Sequence, residues 1–256
     1  MFETLTTLSA FSLIWAFGVA LFAGFIKGAV GFAMPMIMIS GLSAVISAEA
    51  ALAALILPTF VTNIIQALRQ GWRAALQSMN RFRYFLIVGA VCISATSQLV
   101  PYIPSSLMFL ILGLVVTVFA VVLLSGKKFK IPDHRRTQTE IGVGIFAGLV
   151  GGVSGIWGPP TVAYLTALNT PKAEQVRAQG VIYGLGAMLL IGAHLNTGVL
   201  SKETAPLSVI LLIPAFVGIW LGFKAQDRLN QTLFRRLTLI VLIVAGLNLI
   251  RRGLIG

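Results

Sequence analysis

A thirteen-residue pattern occurs twice in this chain, 124 positions apart. The first copy runs Ala23-Gly24-Phe25-Ile26-Lys27-Gly28-Ala29-Val30-Gly31-Phe32-Ala33-Met34-Pro35. The second runs Ala147-Gly148-Leu149-Val150-Gly151-Gly152-Val153-Ser154-Gly155-Ile156-Trp157-Gly158-Pro159. Five of the thirteen positions are identical: the Ala, three Gly and the Pro. A chain that carries one device twice is constrained to two related halves. Both copies lie in strongly apolar sequence. Paired hydrophobic segments interrupted by Gly and Pro at matching places in two halves point to the binding site of a transporter.

The surrounding composition agrees. Of 256 residues 57% are hydrophobic and only 10% charged, where a soluble domain carries roughly 25% charged residues. Uncharged apolar runs of about 18 residues or more, enough to cross a bilayer, recur along the chain. The expected class is an all-α, multi-pass membrane protein. Its net charge of +12 fits Lys and Arg gathered in cytoplasmic loops better than a nucleic-acid surface, so no nucleic-acid partner is expected. Cys92 is the only cysteine and there are two histidines, which leaves no basis for an intrachain disulfide or a metal cluster. No GxxxxGK[ST] loop is present, so ATP hydrolysis is not encoded. No cofactor and no enzymatic activity are expected. The first eight residues lack the basic start of a cleaved signal peptide.

Ten apolar segments are expected: about 9–27, a short 33–46, 48–68, 84–100 and 105–126, then 140–156, a short 159–169, 174–197, 205–223 and 234–250. The domains are then a first repeat over 1–126, a basic linker over 127–138 and a second repeat over 139–256. If all ten segments cross, each repeat holds an odd number and the second is inverted. With the linker inside, sixteen of the nineteen basic residues lie on the cytoplasmic side and only Lys202, Arg251 and Arg252 outside. The alternative is eight transmembrane helices, four plus four. It distributes the charges twelve to six and leaves Lys27 within the membrane. The positive-inside rule favours five plus five, with both termini outside.

The repeated pattern suits an anion. Gly at spacings of three and four lets helices approach closely. Gly31 and Gly155, each followed within four residues by Pro, interrupt the helical ladder. Pro35 and Pro159-Pro160 then read as the first turns of two short helices. A helix start inside the membrane offers free N–H groups and the positive end of the helix dipole. Such a start is an anion site. Under inversion the two starts approach the midplane from opposite faces, so the anion is expected between both half-helix N-termini and is moved by alternating access. Tight packing and simple kinking are the plainer uses of the same residues.

GFIKGAVGFAMP and GLVGGVSGIWGPP together resemble the sulfite exporter family of the TauE/SafE type, and the resemblance covers the whole chain. It implies a carrier in the inner (plasma) membrane that moves sulfite or small organosulfur anions, usually outward. The first copy has Phe32-Ala33-Met34 where the family pattern is richer in Gly.

Candidate substrate-binding residues are Lys27, Gly28, Gly31, Phe32 and Pro35 at the first break. Gly152, Ser154, Gly155, Trp157, Gly158, Pro159, Thr161 and Tyr164 are those at the second. Asn63 and Gln66 join them from a stripe begun by Thr59, at helical spacings of four and three. The stripe either lines a path or ties helices together. Lys27 either neutralises a bound anion or snorkels to the inner interface. His194 is a candidate for a coupling proton, or a hydrogen-bonded structural residue. Glu49 and Glu174, at segment ends, are the acidic candidates. The expected partners are a small anionic substrate and the lipid bilayer, and the chain is compatible with a homodimer.

Two other plans remain. A channel or flippase for another small anion or a lipid phosphate could use the same repeat. More remotely, Gly152-Val153-Ser154-Gly155 matches a GxSG nucleophile motif with His194 as base, as in an intramembrane serine protease.

Overall fold

A computed structural model describes residues 9–96, 105–126, 133–154, 157–197 and 204–255. Among these residues there are helices and no strands. The helices are α1 Ala10–Val30, α2 Met34–Leu42, α3 Ala48–Leu68, α4 Trp72–Arg81, α5 Arg83–Thr96, α6 Ser105–Leu124, α7 Arg136–Ser154, α8 Gly158–Ala167, α9 Lys172–Thr197, α10 Ala205–Ile210, α11 Leu212–Arg228 and α12 Gln231–Ile255. Among the described residues four stretches are long and apolar enough to span a bilayer: Ala10–Val30, Ala50–Leu68, Ala205–Arg228 and Gln231–Ile255. The protein is an integral membrane protein, and each of the ten expected segments contains helix. The segment expected over 205–223 is two helices joined at Leu211. The one expected from 140 already begins at Arg136.

The helices form two compact units. One combines α1, α2, α3, the part of α9 from Gln179, α10 and α11. The other combines α4 from Arg73, α5 to α8, the start of α9, and α12. Each unit therefore draws on both halves of the sequence.

In the first unit α1 lies against α11 along glycines from both helices. A Cβ at Gly24 or Gly28 would strike the carbonyls of Ala215 and Ile219; one at Gly218 or Gly222 would strike those of Leu21 and Phe25. In lipid, helices gain contact by letting their backbones meet, and reciprocal glycines four residues apart allow it. Met34, Met38 and Leu42 of α2 fill the space between Ala16, Ala20 and Ala23 of α1, Ala51 and Ala54 of α3, and Leu207 and Leu211 beyond. Ser9 and Ser47 cap α1 and α3 by accepting from the N–H groups of Ser12 and Ala50 at 3.1 and 3.2 Å. Pro58 sits inside α3 and has no N–H, which deprives the Ala54 carbonyl of its helical donor. Ser208 Oγ supplies that donor at 3.1 Å and accepts from the Leu57 N–H at 3.1 Å. Kinked membrane helices are repaired by such hydroxyls.

In the second unit the same device recurs with other partners. Gly144 and Gly148 of α7 lie on Phe85, Gly89 and Cys92 of α5, at 3.2 Å from Phe85 Cα and 2.8 Å from the Gly89 carbonyl for a built Cβ. Gly113 of α6 meets the Gly246 carbonyl of α12 at 2.7 Å. The turn between α8 and α9 is closed by Gln231, whose side chain accepts from the Lys172 N–H at 2.8 Å and donates to the Thr170 carbonyl at 3.1 Å.

Helix α4 was not among the expected segments. Its Ala75 and Ser78 are buried, while Trp72, Leu76 and Met79 form an exposed apolar stripe at helical spacing. Arg73, Gln77 and Asn80 fall on the adjoining face. This is the pattern of a helix lying in a membrane interface, and its polar face hides it from a search for apolar runs.

Candidate functional site

The first break is a backbone construction. Helix α1 ends at Val30, and Gly31 caps it in the left-handed region at φ 97°, its N–H donating to the Lys27 carbonyl at 2.7 Å. Ala33 then takes φ 74° before α2 begins at Met34. A non-glycine residue there costs on the order of 1–2 kcal/mol. Ala33 has no side chain to cap α2, and Pro35 in the first turn lacks an N–H. Strained backbone held by its surroundings is a common companion of function.

Lys27 lies one turn before this break and is 1% exposed. Its side chain does not snorkel. The Nζ donates to Asn63 Oδ1 and, at 3.5 Å, to the Thr59 carbonyl of α3. Gln66, a turn further, donates from Nε2 to the Gly31 carbonyl at 2.9 Å. Thr62 on the same helix donates to the Pro58 carbonyl at 2.6 Å and lies 3.4 Å from Met34 Sδ. The stripe Thr59, Asn63, Gln66 is thus brought together with Lys27 and Gly31. Phe32 is buried beside them in sequence, and Pro35 is half-buried. Gly28 is pressed against α11.

Two properties make this cluster unlike ordinary interhelical polar contacts. First, Lys27 makes no ion pair among the described residues; the pairs Arg69–Asp227, at 2.7 Å, and Arg81–Glu174 lie elsewhere. A buried charge without a counter-charge is costly. Second, hydrogen-bonding capacity is left unspent. Among the described residues Asn63 Nδ2 and Thr59 Oγ1 are buried without a partner, as are both amide atoms of Gln179. Gln179 adjoins Gly180 of α9, whose position for a Cβ lies against Gln66 and Ala67. Buried polar atoms in native proteins are nearly always satisfied, by protein, water or a bound ion, so a group of exceptions marks room for such a partner.

The second break is built differently. Trp157 precedes α8 with φ −111°, an ordinary right-handed conformation. A Cβ on Gly151 would already stand 2.9 Å from Trp157 Cβ. Pro159 and Pro160 follow Gly158 in the first turn. Thr161 is buried and its hydroxyl donates to the Trp157 carbonyl at 2.9 Å. Tyr164 stacks on Phe85 with centroids 6.3 Å apart, and its buried hydroxyl has no partner among the described residues. Gly155 lies outside the described residues. Gly152, Ser154, Glu49 and His194 fall in helices, but their side chains lie outside the described residues too.

A match to the sulfite exporter TauE/SafE family extends over residues 16–249 and includes both breaks. The chain belongs to the TauE/SafE family. Members of this sulfite exporter family are membrane transporters. The chain matches no curated protein and no solved structure.

For this TauE/SafE member, several buried polar residues were not singled out from the sequence, Gln179 and Glu140 among them. Gln179 precedes a helix-packing glycine and carries no charge to draw notice. Glu140 is 3% exposed, and its carboxylate accepts from the Phe85 N–H at 3.1 Å, satisfying one of the free donors at the start of α5. Placing α7's start at 140 put Glu140 at a segment edge; the helix actually begins at Arg136, a turn earlier. Glu174, one of the two acidic candidates, is engaged by Arg81.

Proposed function

We propose that the protein is a secondary carrier that exports small organosulfur oxyanions such as sulfite or sulfonates across the inner membrane. The anion sits beside Lys27, with Asn63 Nδ2 and the Thr59 hydroxyl as neutral donors and the start of α2 adding its dipole. One observation carries this reading: a fully buried lysine that lacks an acidic partner among the described residues and contacts two residues, Asn63 and Thr59, whose side-chain donors are unspent there. An anion supplies what that arrangement lacks.

The transport cycle is alternating access between two inverted five-segment repeats. The helix pairings support it. The first helix of each half packs on the fourth segment of the other, α1 on α11 and α7 on α5, and the fifth segments α6 and α12 pack on each other. Two copies related by a pseudo-two-fold would exchange partners in this way. An inside-negative potential favours anion exit by about 2.3 kcal/mol per charge per 100 mV, so export requires no coupled ion.

The test is flux from proteoliposomes loaded with sulfite or a sulfonate, with a potential imposed. The wild type should show saturable efflux. Lys27→Gln should lower kcat/KM about a hundredfold or more, in line with the roughly 2–5 kcal/mol lost when one member of a buried charge pair is removed. Absence of flux for every sulfur oxyanion would end this reading and bring forward a lipid-phosphate substrate.

A further inference from the structure

We infer that the species this site accepts is a monoanion, and that dianions are rejected on charge. The inference rests on the carrier reading above and narrows its substrate class. Among the described residues Lys27 is the only buried lysine or arginine, and Glu140, of the other unit, the only buried acid. The remaining buried groups of the Lys27 cluster are neutral: Thr59, Thr62, Asn63 and Gln66, with the neutral Gln179 on the helix packed against Gln66. Arg69 is the next basic residue along α3's end, and it is taken up by Asp227 at 2.7 Å, with Gln226 beside it.

The charge balance follows directly. One ammonium and one monoanion leave the buried site neutral. A dianion would leave a second negative charge in a low-dielectric surrounding, opposed only by the partial positive charge at the start of α2 and by neutral amides and hydroxyls, which can solvate it but not cancel it. Discrimination between equal shapes of different charge is then built into the single lysine. Bisulfite and alkyl sulfonates are accepted; sulfate and fully ionised sulfite are not. A specificity of this kind works by an unpaired charge in the wrong complex as much as by attraction in the right one.

Wild-type protein in proteoliposomes tests it without any variant. Methanesulfonate and sulfate have nearly the same shape and differ by one charge. Sulfite changes from bisulfite to the dianion as pH passes through neutrality, while methanesulfonate stays a monoanion. Efflux of each is measured from mildly acidic to mildly alkaline pH. The expected results are sulfate flux at least about tenfold below methanesulfonate, a modest figure for one uncompensated buried charge, and a sulfite-to-methanesulfonate ratio that falls with pH in step with the bisulfite fraction. Using the ratio removes any effect of pH on Lys27 itself, since methanesulfonate reports that effect alone. A constant or rising ratio, or sulfate moving as fast as methanesulfonate, overturns the monoanion inference and leaves the carrier intact. Failure of methanesulfonate and sulfite alike to move at any pH would overturn both.

Discussion

The two breaks share a Gly and Pro pattern yet differ in charge, in backbone and in how their polar groups are spent. The first has Lys27; 124 positions on, the second has Gly151, pressed against Trp157. The first turns through Ala33 at φ 74°; the corresponding Trp157 has φ −111°. At the first break a lysine, an asparagine and two glutamines are buried. Beside the second, the Thr161 hydroxyl is spent on its own helix, and among the described residues the Tyr164 hydroxyl is left without a partner. Each copy of the pattern stands where one helix ends and another begins, and only the first carries a charge. The shared residues go with the helix ends, and the unshared ones give the two places different chemistry.

The largest effect should come from the glycines that hold both breaks. Gly28→Val drives a side chain into the Ile219 carbonyl, and Gly148→Val drives one into Gly89 and Cys92. Overpacking costs about 1–3 kcal/mol and sometimes more, and here the obstacle is backbone. Both variants should lose folded protein, measured by monodisperse yield in detergent and by Tm. If one tolerates the change, the two helix pairs are not equivalent. Next in size, Tyr164→Phe should lower sulfonate flux by less than tenfold and leave Tm equal or higher, because an unsatisfied buried hydroxyl costs about 1–3 kcal/mol that the variant removes. A Tyr164→Phe protein that folds but transports nothing would reverse the division of labour between the breaks. The smallest effect is Ala33→Gly. Glycine accepts φ 74° freely, so Tm should rise, by an amount corresponding to at most about 1 kcal/mol after the added entropy of the unfolded chain is subtracted. A fall in Tm would mean that Ala33 is not strained.

Much of this architecture was legible before any coordinates. Hydropathy marks α1, α3, α6 and α12 because lipid demands continuous apolar length, and the repeat marks both breaks because Gly and Pro act locally. Other features depended on information that no local window holds. Helix α4 mixes Arg73, Gln77 and Asn80 with Trp72 and Leu76, so it reads as a loop unless its period is checked. The contact between Lys27 and Asn63 spans 36 positions, and nothing in either neighbourhood says whether the lysine turns inward or to the headgroups. That choice is made by α3, whose Asn63 side chain and Thr59 carbonyl take up the ammonium. Gln179 and Glu140 matter through burial, and burial is a property of the packed helices.

The most direct test of the central claim is a crystal structure with selenite, a heavier congener of sulfite whose selenium can be located by anomalous scattering. The account predicts a selenium peak beside Lys27, with its oxygens within hydrogen-bond distance of Nζ, Asn63 Nδ2 and the Thr59 hydroxyl, and no such peak in Lys27→Gln. Selenium bound only at the start of α8, with the Lys27–Asn63 contact undisturbed, would contradict it.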